Sequence, residues 1–157
     1  MNAYLWIKVA HIISSTILFG AGIGTAFQMW FAHRSNNTHA MVVVARNVVL
    51  ADYLLTTPAG IIQPLTGGVL IWLSGLDPMA SWLVVAYVLY FVAMACWLPV
   101  VWLQIKIRNA AQQAVDLNQP LPPIYYRHMR IWFVLGWPAF ISLIVVFWLM
   151  AAKPILW

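Results

Sequence analysis

"AYLWIKVAHIISSTILFGAGIGTAFQMWF", residues 3–31, decides the fold. A helix needs about 20 apolar residues to cross the hydrocarbon core of a bilayer. This stretch is longer than that and carries one formal charge, Lys8, and one further ionisable group, His11. No cleavage site is evident within it, so it reads as a retained membrane helix rather than a signal peptide. An ionisable group at membrane depth is costly and marks a functional position by default. The question His11 raises is what that imidazole meets inside the bundle.

The rest of the chain repeats the pattern. Of its 157 residues, 64% are hydrophobic and 7% are charged, where a soluble domain has roughly 25% charged residues. Three more apolar runs come after the first, at about 42–74, 82–107 and 125–152. They are separated by "AHRSNNTHA" (32–40), "GLDPMAS" (75–81) and a long polar stretch at about 108–124. The last contains "PLPP" (120–123), which blocks helix and favours extended chain. The expected fold is a single all-α membrane domain, an antiparallel bundle of four transmembrane helices.

Basic residues set the expected orientation. Arg34, Arg46, Lys106, Arg108, Arg127 and Arg130 flank the first and third connections, whereas only Lys8 and Lys153 lie at the other side. By the positive-inside rule those two connections face the cytoplasm and both termini face outward, in a bacterial inner membrane. Tyr4, Trp6, Trp72, Trp82 and Trp157 then form the outer aromatic belt, and Trp30, Tyr125, Tyr126 and Trp132 the inner one. The net charge of +5 belongs to headgroup contact and not to nucleic acid. The single cysteine, Cys96, excludes an intrachain disulfide and a cysteine metal cluster, and it reads as a small packing residue. P-loop, GxSxG and HExxH patterns are absent, and three acidic residues in separate segments give hydrolase chemistry little support.

Several features carry candidate function. Gly20 and Gly24, four apart, match the small-xxx-small pattern of close helix approach. Intramolecular packing is the favoured use, and a homo-oligomer the alternative. "TTPAGIIQPLTGG" (56–68) should kink or open the second helix, and the freed carbonyls need partners from Thr56, Thr57, Thr66 or a neighbouring helix. Asp52, Thr56, Gln63 and Thr66 fall on one face at about 100° per residue. Asp52 must be paired or protonated there. Arg46 is six residues away and out of register, so Arg127 or Arg130 is the expected partner. A structural ion pair and a role in proton transfer or substrate binding both remain open. His11 shares a stripe with Ser15, Leu18, Gly22 and Thr25, which leaves room for a flat cofactor or for helix packing. The other histidines, His33, His39 and His128, lie toward the opposite face; helix rise puts His33 about 33 Å from His11, too far to share one iron.

The stretches "ADYLLTTPAGIIQPLTGG" (51–68), "WLPVVWLQIKIR" (97–108), "PLPPIYYRHMRIWFVLGWPAF" (120–140) and "FWLMAAKP" (147–154) together resemble a family of bacterial integral membrane proteins of unknown function. The likeness covers most of the chain and implies the four-helix architecture. "LWIKVAHII" (5–13), "TTPAGI" (56–61), "LTGGVLIW" (65–72) and "AKP" (152–154) are also similar to the HemJ-type protoporphyrinogen IX oxidases. That second likeness implies haem b with His11 as axial ligand, Lys8 near a propionate, and a redox role with quinone, a porphyrin or a redox protein as partner. In that family a lysine in the third helix matters, and here none occurs before Lys106. Tyr87, Tyr90 and Met94 are the third-helix residues at the depth of His11, so the haem would be five-coordinate or take Met94 as a sixth ligand. A transporter of a small solute, metal or proton along the kinked second helix, and an accessory subunit of a membrane complex, are the alternatives.

Overall fold

The computed structural model describes residues 2–157. It is all-helical: α1 (Asn2–Arg34), α2 (Thr38–Ala51), a π-helical turn (Asp52–Thr56), α3 (Thr57–Ser74), α4 (Ser81–Asp116) and α5 (Pro123–Ala152). The π turn joins α2 to α3 without a break, so four helical rods result, each long and apolar enough to cross a membrane. Short connections force neighbouring rods to run antiparallel. Asn37 caps α2 by accepting the Ala40 N–H at 3.1 Å. Gly75 ends α3 in the left-handed region at φ 64°, which a residue with a Cβ adopts at a cost.

Two boundaries differ from the sequence reading. The stretch 108–124, expected as a long polar loop, is helical through Asp116, because "RNAAQQAVD" is rich in strong helix formers. This extension has its own apolar side: Ile107 and Ala111 are buried with Met41, Val42 and Ala45 of α2. The second rod likewise starts at Thr38 instead of 42, since Met41 already belongs to the core.

The core is in two parts. One joins Met29, Val48, Leu103, Tyr125, Met129 and Trp132 toward the 35–37 and 117–122 connections. The other joins Trp82, Leu83, Ala86 and Leu149 at the opposite end. There the chain's final segment returns to α4, where the Leu156 N–H donates to Ser81 Oγ at 2.9 Å. Most buried polar side chains, among them Ser14, Asp52, Thr56 and Gln104, lie between these apolar ends.

The prolines of the second rod explain its local form. Pro58 has no N–H and its ring crowds the preceding turn, so the ladder widens just before it. Thr57 closes this π turn twice: its N–H and its hydroxyl both donate to the Asp52 carbonyl, the hydroxyl at 2.7 Å. Pro64 leaves the Gly60 carbonyl without its i+4 donor, and the Tyr90 hydroxyl of α4 donates to that carbonyl. A Cβ on Gly60 would meet Met94 Cε at 3.5 Å, an ordinary van der Waals contact, so Tyr90 and Met94 of α4 are what reach α3 here. Tyr90→Phe leaves that carbonyl unpaired at membrane depth and should destabilise the protein by about 1–2 kcal/mol. Titrating unfolding with SDS in mixed micelles measures it; an unchanged midpoint would mean that the carbonyl finds another donor.

Candidate functional site

His11 sits at the α1–α3 contact. Its Nδ1 lies 2.8 Å from Thr66 Oγ1, and Gln63 Nε2 lies 3.0 Å from its Nε2. The Thr66 hydroxyl is 2.7 Å from the Ile62 carbonyl, to which it donates. Thr66 Oγ1 therefore accepts from His11 Nδ1–H, which leaves Nε2 as the acceptor for the Gln63 amide. Gln63 Oε1 in turn accepts from the Ser14 hydroxyl. A neutral imidazole satisfies every group in this chain. Gly67 completes it: a Cβ there would stand 3.3 Å from His11 Cε1.

This is the arrangement of an interhelical hydrogen-bond pair, and an iron ligand at Nε2 would have to displace Gln63. The other residues expected around His11 are elsewhere. Lys8 is exposed and reaches over the Tyr4 ring at 5.9 Å, as a snorkelling lysine does. Ser15 donates to its own helix at Ile12 O, 2.8 Å away. Tyr87 is exposed. Gly22 and Met94 line a separate cavity.

That cavity, about 440 Å³, lies between α1, the π turn, α4 and α5. Its wall is mostly apolar, including Leu18, Ile23, Ala93 and Leu143. On one side α1 and α5 are held apart by rings: Phe19 packs edge-on against Phe140 and Phe147 at centroid distances of 5.8 and 5.4 Å. Trp30 stacks on Phe133 at 4.5 Å.

The polar groups of the wall are concentrated around Asp52. Thr56, Gln104 and Trp97 are the polar side chains nearest its carboxyl group, none of them in hydrogen-bond geometry with it. Asp52 Oδ2, Thr56 Oγ1, Trp97 Nε1, Gln104 Oε1 and Trp132 Nε1 are all buried with no hydrogen-bond partner among the described residues. Buried polar atoms are normally satisfied, and each exception calls for an explanation. Among the described residues only one further side-chain atom shares this state, His128 Nδ1; the other five all belong to the lining of one cavity.

Asp52 has no cationic partner among the described residues. Arg46, Arg127 and Arg130 are all exposed, which overturns the expected ion pair; long basic side chains reach water more cheaply than they enter the bundle. Nor do Asp52, Thr56, Gln63 and Thr66 share one face. The π turn inserts an extra residue and rotates the remainder of the rod by about 100°. Asp52 and Thr56 therefore face the cavity, whereas Gln63 and Thr66 face His11. Among the described residues Gly20 and Gly24 are not at a close helix contact, since a Cβ on either would meet nothing within 4 Å. The favoured intramolecular use of that pair is thus overturned. Among the described residues no three of His, Cys, Asp and Glu come together to hold a metal. His33 instead pairs with the Tyr125 hydroxyl at 3.0 Å.

Sequence reasoning missed Trp97, Gln104 and Trp132 as site residues. The available signal was Gln104, an uncharged polar residue in an apolar run, with Trp97 seven positions earlier on the same helical face.

Residues 5–154 match the model of the family described as "Predicted integral membrane protein (DUF2269)". The chain belongs to this family. It is an integral membrane protein, and its family has no assigned activity. No curated protein and no solved structure matches the chain, so the likeness to the HemJ-type oxidases has no counterpart in these comparisons. In this DUF2269 member the cavity beside Asp52 is the feature that sets the functional reading.

Proposed function

We propose that the protein binds a lipid-soluble small molecule inside the membrane, with the apolar body in the cavity and a compact polar head at Asp52, Thr56, Trp97, Gln104 and Trp132. The five unpartnered polar atoms around one apolar cavity carry this reading. Small-molecule sites have this composition: mostly hydrophobic walls, a few convergent polar groups and volumes of roughly 300–1,000 Å³. The proposed setting is a bacterial inner membrane with both termini outward, supported by the six-to-two distribution of basic residues. Carriage of the bound molecule and its use as an electron carrier, as for a quinone, are both compatible with such a site.

Gly136 provides the test. It lines the cavity, and a Cβ there meets nothing within 4 Å. Gly136→Leu therefore adds bulk to the cavity wall from a Cβ that meets no atom, and improves helix propensity. In nanodiscs, triphenylphosphine oxide, a neutral molecule with one strong acceptor, should bind saturably to the wild type and at least tenfold more weakly to Gly136→Leu. Equal binding to both would reject the cavity as the site. A haem b redox role, supported by the resemblance around His11, has a separate signature. It requires a Soret band that disappears in His11→Ala, whereas the cavity reading expects a colourless, folded protein.

A further inference from the structure

The charges of the cavity narrow the class of ligand. We infer that the head group is a positive charge, so that the site takes a lipophilic organic cation with Asp52 as its counter-charge; this rests on the cavity reading above. The wall offers one carboxyl group and no basic residue. An anionic head such as a phosphate or carboxylate would meet a carboxyl group with nothing to neutralise it. A neutral head would be served by the hydroxyl, amide and indole groups already present and gives no reason for an acid at this depth. An ionised carboxylate in the bundle needs a counter-charge, and the cavity wall supplies none.

The aromatic residues agree. Trp97, Trp132, Trp137, Phe133 and Phe140 all line the space, and indole and phenyl faces attract cations, more strongly when desolvated. Four of the protein's eight basic residues are themselves seated on aromatic rings at the bundle ends. Lys8, Arg34, Lys106 and Lys153 lie over Tyr4, Trp30, Trp102 and Trp82 at 5.4 to 5.9 Å.

A proton and the cation compete for the same carboxylate. The groups that face Asp52 can be named element by element. α1 presents Thr25 and apolar side chains; the π turn presents Thr56. α4 presents Trp97 and Gln104, and α5 presents Trp132. None of these titrates in the ordinary pH range, and Arg46, earlier on its own rod, is exposed. Among the described residues Asp52 is the only titratable group in the wall. When a cation binds to the protonated form, one proton leaves, and charge in the cavity stays balanced.

The test compares tetraphenylphosphonium with triphenylphosphine oxide on the full chain in zwitterionic nanodiscs. Tetraphenylphosphonium should bind about one per chain, more tightly than the neutral probe. Its affinity should fall about tenfold per pH unit once Asp52 is protonated, while that of the neutral probe should not. In Asp52→Asn the preference for the cation over the neutral probe should drop at least thirtyfold, and Asp52→Glu should restore part of it. Both probes should be lost in Gly136→Leu. Saturable binding of the neutral probe with no preference for the cation would overturn the cation assignment and leave the cavity reading standing. An unchanged preference in Asp52→Asn would do the same. Binding of neither probe would overturn both.

Discussion

Asp52→Leu should make the protein more stable, by about 1–3 kcal/mol, and should abolish ligand binding. The carboxyl group is almost fully buried, at 3% exposure, and its Oδ2 has no partner among the described residues. Leaving a buried polar group unsatisfied costs roughly 1–3 kcal/mol, and replacing it by an apolar group of similar size removes that cost. Leucine has the branching of aspartate with bulkier ends, and the apolar cavity gives it room. Residues kept for function often reduce stability in this way. SDS-induced unfolding measures the first effect and probe binding the second. A loss of more than about 1 kcal/mol would instead make Asp52 a structural group with partners in the native membrane.

His11→Ala should have the opposite sign. It removes the acceptor of Gln63 and the donor to Thr66 at once, and it opens a gap against Gly67. Interhelical hydrogen bonds in membranes contribute on average about 0.6 kcal/mol and at most about 1.7. Two bonds with the lost packing should therefore cost about 2 kcal/mol. The effect is local to α1 and α3, so a double-mutant cycle with Thr66→Ala should give a coupling of about 1 kcal/mol. Probe binding in the cavity should remain, because His11 is not part of its wall. Independent effects of the two substitutions would show that the pair is not formed in the membrane.

The four rods were legible because their signal is compositional: long apolar runs separated by polar turns leave little choice of fold. The ends of the rods were less so. "RNAAQQAVD" looks like a loop by polarity and is helical because Ala111 and Ile107 pack on α2, a tertiary fact. For the site, the sequence indicated that Asp52 and Thr56 are special and that the proline-rich stretch deforms its helix. It did not reveal that the deformation is a π turn, so the single polar face deduced from regular 100° steps divides in two. It also could not assign partners across helices. His11 looked like a cofactor ligand while the two residues that engage it, Gln63 and Thr66, were grouped with Asp52. Trp132 looked like an interface residue and Trp97 drew no reading of its own, because an indole N–H is recognised as unpaired only when its surroundings are known.

The space beside Asp52, proposed here as a binding site within the membrane, is open to photolabelling with a neutral lipophile that carries a diazirine next to its polar head, in membranes containing the full chain, with adducts mapped by mass spectrometry. Adducts are expected at Thr56, Trp97, Gln104 and Trp132, prevented by excess unlabelled ligand and absent in Gly136→Leu. Labelling confined to the lipid-facing residues, and equal in wild type and Gly136→Leu, would contradict the claim.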